Sequence, residues 1–295
     1  MSTATATRSS RREPLDPQGT GGTDGAASLP RAVRAELLKF FTTRMWWGMG
    51  IAVFLTGAGF ALLFGLIFTS DAVRGPNGPT VPLTDLALAR QVFTGGISFG
   101  YLLTLAIGVM TIGSEYRHKT VTSTFLAVPR RVRVMGAKVV SLLIIGAGYG
   151  VLSLIGSVVT GAIVLSARGH QPFADSAIWR TLALSLLVLG LWALIGLGAG
   201  ILIPNQVAAL LIAIGVAWII EPILGAVIGL TDWGRTVTPY LPSQATSAML
   251  STSSGNFDSQ TIVPLAWWGG ALVLAGYAAV MAGVGSWLTV RRDIS

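Results

Sequence analysis

Residues Gly113–Val140 read GSEYRHKTVTSTFLAVPRRVRVMGAKVV, gathering six basic residues, a glutamate and a histidine in a chain otherwise dominated by Leu, Ile, Val, Ala and Gly. Uncharged, mostly apolar runs flank it, residues 91–113 before and 139–167 after. A helix needs about 20 residues to cross the ~30 Å hydrocarbon core of a bilayer, and both runs reach that length. The charged stretch therefore reads as an excursion from the membrane between two spans.

Four more apolar runs lie at about residues 45–68, 181–203, 206–230 and 264–290, uncharged but for Glu221 in the third of these. The chain is 52% hydrophobic and 11% charged, where a soluble protein averages roughly a quarter charged. The runs are too long and too continuous for barrel strands, which alternate apolar and polar over about ten residues. The expectation is an all-α integral membrane protein, with six transmembrane helices forming one domain over residues 30–295. Residues 1–29, rich in Ser, Thr, Gly and Pro, predict a disordered tail. No short apolar stretch with a cleavage site follows the tail's arginines, so it does not read as a secretory signal.

The charge balance sets an expected orientation. Six spans put both termini on one side, and with the 114–138 segment that side holds fifteen of the 20 Lys and Arg residues. Arg74, Arg90, Arg168, Arg180 and Arg235 fall on the other. The basic excess assigns the first side to the cytoplasm, and the expected location is the cell membrane. The net charge of +8 then follows from topology. No basic stripe interleaved with aromatics points to nucleic acid. With no cysteine, disulfides and thiolate metal sites are excluded, and His118 and His170, the two histidines, both lie outside the apolar runs.

Gly113–Thr120 falls one glycine short of the phosphate-binding pattern G-x-x-x-x-G-K-[ST]. His118 replaces the glycine that lets backbone approach an anion, Glu115 would repel phosphate, and a membrane span precedes where a strand is needed. The stretch instead predicts a short helix from Ser114 to Leu126, with Ser114 as its N-cap, Glu115 near the positive end of its dipole, and Pro129 after it. Arg130, Arg131 and Arg133 suit the headgroup level. The mixture of acid, base and hydroxyl over Glu115, Tyr116, Arg117, His118, Lys119 and Thr120 suits a docking surface.

The pattern E-Y-R-x-x-T, then P-R-R-x-R, then A-K (Glu115, Tyr116, Arg117, Thr120, Pro129, Arg130, Arg131, Arg133, Ala137, Lys138) resembles the cytoplasmic segment of ABC-2 type permeases. These are the membrane subunits of ATP-binding-cassette exporters. RAELLKFFTTRMWW, Arg34–Trp47, is similar to the amphipathic entry helix of such permeases, and PYLPSQATSAML, Pro239–Leu250, to their segment between spans five and six. The resemblance covers about residues 31–290. It implies that the helix after span two docks on separate ATPase subunits, which hold ATP and Mg, and that two permease chains pair around a central path. No catalytic residue and no cofactor is then expected on this chain.

Val33, Leu37 and Phe40/Phe41 recur at helical spacing, with Arg34, Lys39 and Arg44 able to reach headgroups. That is the pattern of a helix in the interface plane, serving as dock, anchor or both. Arg34, Glu36, Leu37, Lys39, Phe41 and Arg44 are its candidate residues. Glycine pairs such as Gly96/Gly100, Gly146/Gly150 and Gly196/Gly200 predict close helix packing, and the tryptophans at span ends an interfacial belt. Gly96–Gly100 also matches G-x-S-x-G, but a serine nucleophile there would need a strand-to-helix turn and a histidine partner, which disfavours a membrane hydrolase.

Glu221, followed by Pro222, is the acidic residue deepest in a span, and an intramembrane carboxylate points by default to a function or a specific partner. One reading is structural: a proline break, with the protonated carboxyl donating a hydrogen bond inside the bundle. The alternative function is a stand-alone secondary transporter with Glu221 as its coupling-ion or proton site.

Overall fold

The computed structural model describes residues 29–70, 84–117, 131–203, 205–252, 263 and 265–291, and among these every regular element is helical. Helix α1 (Leu29–Phe41) precedes the first span, α2 (Met45–Phe68). The second span joins α3 (Asp85–Thr94) to α4 (Ile97–Arg117), the third is α5 (Arg131–Ala167) and the fourth α6 (Ala177–Leu202). The fifth runs through α7 (Gln206–Gly215), a π-helical turn (Val216–Ile220) and α8 (Glu221–Gly229). Short helices α9 (Asp232–Val237) and α10 (Pro242–Leu250) lead to the sixth span, α11 (Trp267–Arg291). Six helices are thus long and apolar enough to cross a membrane, as a multi-pass membrane protein requires. Residues 1–28 lie outside the described residues, and Leu29, assigned from sequence to the tail, opens α1.

The second span starts earlier than its apolar run, because its polar first turn is satisfied. The Thr84 hydroxyl accepts from the Ala87 N–H at 3.2 Å, and Asp85 lies 2.6 Å from His170 Nδ1, an acid at a helix start where the dipole favours it. The third span has 37 residues, about 55 Å of helix against a ~30 Å core. It therefore projects beyond the hydrocarbon.

Helices α4 and α6 form the centre. A Cβ added at Gly108 would collide with the Ala193 carbonyl oxygen, and one at Gly196 with that of Leu105, so only glycine lets these backbones touch. The first, fifth and sixth spans surround this centre with exposed apolar faces, Leu211, Val227 and Leu272 among them. Ser98 sits in the first helical turn of α4, where a serine elbow would require a strand-to-helix turn. Trp46, Trp47, Trp267, Trp268 and Trp287 are exposed near helix ends.

Beyond the fifth span the chain folds back into the bundle. Ala245 and Met249 of α10 are fully buried, and the Trp192 indole of α6 donates to the Thr246 hydroxyl at 3.0 Å.

Candidate functional site

Helix α1 turns Glu36 and Phe40 inward and leaves Arg31, Arg34, Leu38 and Phe41 exposed. It follows the first turns of α5: Leu29 borders Gly136, Glu36 meets Lys138, and Phe40 packs edge-on against Tyr149 with ring centroids 6.1 Å apart. A carboxylate on the buried face is costly unless paired and hydrogen-bonded.

Glu36 is paired. Lys138 Nζ donates to Glu36 Oε2 at 2.8 Å and to Glu115 Oε1 at 2.6 Å. Lys39 Nζ also pairs with Glu115 Oε1, and lies 3.5 Å from Glu36 Oε1. Lys138 is 2% exposed, Glu115 3% and Glu36 9%, so three of the four members are withdrawn from solvent. Two acids and two lysines leave the cluster formally neutral. Glu115 stands in the last turn of α4, where the negative end of the dipole disfavours an acid, and the two lysines offset that. Burial alone would lower the pKa of Lys39, but its hydrogen bond to Glu115 and the charges of Glu115 and Glu36 outweigh burial and hold it above the ordinary lysine value.

The cluster ties three elements together: α1, the end of the second span and the start of the third. Beside it a cleft of about 160 Å³ is lined by Glu36, Lys39, Thr111, Ser114, Ser141 and Gln206 among others, which brings in the start of the fifth span.

The helix expected to begin at Ser114 is corrected here. Helix α4 continues through Ser114 to Arg117, and the Ser114 hydroxyl donates to the Thr111 carbonyl at 3.1 Å instead of capping a new helix. Glu115, expected on a docking surface, is buried in the cluster because two lysines satisfy it. Tyr116 and Arg117 close α4, with Arg117 exposed. His118, Lys119 and Thr120 lie outside the described residues, as do Pro129 and Arg130. In the entry helix Leu37 packs against the core, while Arg34, Phe41 and Arg44 are exposed and Glu36 and Lys39 belong to the cluster.

Comparison with protein-family models and with curated proteins returns no match.

Glu221 lies far from this cluster along the chain and has a different kind of partner. It is 6% exposed, and its Oε1 accepts the backbone N–H of Ser243 at 2.5 Å. Ser243 is in the first turn of α10, whose N-cap, Leu241, has no side-chain oxygen with which to cap it. Glu221 fills that role from another helix. In this bond the N–H donates and the carboxyl oxygen accepts. The expected helix break is also corrected: the chain stays helical past Pro222 by widening the preceding turn.

In the sequence Lys138 stands out only as part of the A-K pair of the motif, and its central place in the cluster does not show. The i, i+3 spacing of Glu36 and Lys39 carries a local signal; the pairing with Lys138, 102 residues from Glu36, carries none. His170, likewise, showed no sign of meeting Asp85, 85 residues away. Among the described residues no group of three or more His, Cys, Asp or Glu side chains converges as a metal site would need.

Proposed function

We propose that this chain is the permease subunit of an ABC-2 type exporter. It forms the transmembrane path with a second permease chain, identical or different, and is driven by separate ATPase subunits that hold ATP and Mg. The chain resides in the cell membrane with both termini cytoplasmic. The observation that carries the reading is the cluster of Glu36, Lys39, Glu115 and Lys138. Glu115 and Lys138 stand at the two ends of the stretch, residues 115–138, that resembles the cytoplasmic segment of such permeases.

A push on that segment reaches the end of α4 and the start of α5 together. Lys138 passes it on to α1 through Glu36, and Glu115 does so through Lys39. Breaking the cluster costs several kcal/mol once a buried charge loses its partner, so the three elements move as one body. Arg117 and residues 118–120 remain the candidate contacts with the motor, and α1, with Arg34 and Arg44 at its exposed edge, the candidate interfacial helix. Glu221 supports a structural role, since its carboxyl is engaged by a helix end.

The test is reconstitution of the chain in proteoliposomes with candidate ABC ATPases from the same genome, beginning with any encoded beside its gene. Stimulation of one such ATPase by the permease, reduced when Arg117 is reversed to Glu, is expected. Failure of every candidate to associate, or ATP hydrolysis by the isolated permease, contradicts the reading.

A further inference from the structure

A second cavity lies between α1, α2 and α5, about 540 Å³ in volume and walled by Phe40, Phe41, Trp46, Phe54, Ile144 and Tyr149 among others. That size falls within the roughly 300–1,000 Å³ typical of small-ligand sites. Its lining is apolar, and the Tyr149 hydroxyl is already committed, donating to the Trp46 carbonyl at 2.8 Å. The groove thus asks for hydrocarbon. From Trp46 to Phe54 it follows α2 for about 12 Å of helix rise, from the tryptophans at the span's start into the apolar depth. Ile51, Phe54 and Ile144 on its rim are exposed, so it opens toward whatever surrounds the bundle.

The charge at its upper end is one-sided. Arg44 stands two residues before Trp46, and Arg31 and Arg34 share the exposed face of α1 with Phe41. None of the three is ion-paired with a described residue, whereas both nearby acids, Glu36 and Glu115, are held by Lys39 and Lys138. We propose that the groove between α1, α2 and α5 holds an acyl chain of an anionic phospholipid, with Arg44 and Arg34 meeting its phosphate. A second copy of the chain fits less well, because an isologous contact here would bring the same arginines toward their symmetry mates. The inference needs only that the six helices lie in a bilayer, so it stands or falls apart from the exporter reading.

The test uses the full chain in nanodiscs of phosphatidylcholine carrying a minor fraction of phosphatidylglycerol, with dibrominated acyl chains on one lipid or the other. Tryptophan quenching and native mass spectrometry of retained lipid are the readouts. The wild type should retain phosphatidylglycerol over phosphatidylcholine and be quenched most by the brominated anionic lipid. Arg34→Gln and Arg44→Gln should each cut that preference about fivefold, the worth of a cation near an anionic leaflet. Gly148→Leu, at a position where an added Cβ meets nothing within 4 Å, should fill the groove and abolish retention without lowering the unfolding temperature. Ile51→Trp blocks the rim as a second variant should Gly148→Leu fail to fold. Retention unaffected by filling the groove overturns the proposal, and a changed oligomeric state with unchanged retention would put a second copy there instead. Equal retention of the two lipids overturns the anionic assignment.

Discussion

Glu115 and Glu221 are both acids buried within the bundle, yet they are satisfied in opposite ways. Glu115 meets two lysines from two other elements; Glu221 meets the backbone N–H and the side chain of Ser243 at the start of a short helix. The first arrangement depends on charge, because removing one partner strands another charge out of water. The second depends only on an acceptor oxygen, which a neutral group supplies as well. One end of the molecule is therefore held by an ionic clamp among long helices, and the other by a cap that pins α10 beneath the fifth span.

The largest effect should come from Lys138→Met. It leaves Glu36 and Glu115 facing each other without their buried cation and should cost about 3–5 kcal/mol, seen as a lower thermal midpoint and poor recovery in detergent. Replacing Glu36, Glu115 and Lys138 together by Leu should restore stability to within about 1–2 kcal/mol of wild type, because apolar packing substitutes well for a buried ion pair. If the single and triple variants are equally unstable, packing rather than charge governs the clamp.

Next in size is Glu221→Ala. It orphans the Ser243 N–H inside the protein and should cost about 1–3 kcal/mol, with faster hydrogen exchange confined to Pro242–Leu250. Lys39→Gln should cost less, about 0–1 kcal/mol, because its side chain is 45% exposed and water screens its pairs. Its raised pKa fixes the sign with pH. The contribution of Lys39 is complete below its ordinary value of 10.5 and fades only as pH rises through the higher folded value. A pH titration of stability between 6 and 9 should therefore be flat for the difference between wild type and Lys39→Gln. Smallest of all is Glu221→Gln, whose amide oxygen can accept the same N–H and should leave stability unchanged. A large loss there would mean that Glu221 acts through its charge, as a transport site would.

The six spans were legible because an uncharged run of twenty-odd residues has few alternatives to a membrane helix. Their ends were less so. Asp85 and Arg90 kept residues 85–90 outside the apolar run, yet a threonine cap and a distant histidine let them start the second span. Ser114 and Glu115 read as the start of a new helix, since neither shows in sequence that Lys39 and Lys138 neutralise the turn they close. Glu36, Lys39 and Glu115 stood out individually, as did Glu221, while Lys138 stood out only within the motif. Their pairing did not, because contacts across 23, 76 and 102 positions leave no periodic trace.

If the clamp joins α1, the end of α4 and the start of α5 into one mechanical body, its loss should free α1. The chain has no cysteine, so Arg31→Cys and Val151→Cys introduce two unique spin-label sites, one on α1 and one on an exposed turn of α5. Pulsed electron paramagnetic resonance between them should give one narrow distance distribution in nanodiscs, unchanged when the proposed ATPase partner and nucleotide are added. Lys138→Met should broaden it into several populations as α1 detaches. A distribution in Lys138→Met as narrow as that of the wild type would contradict the clamp.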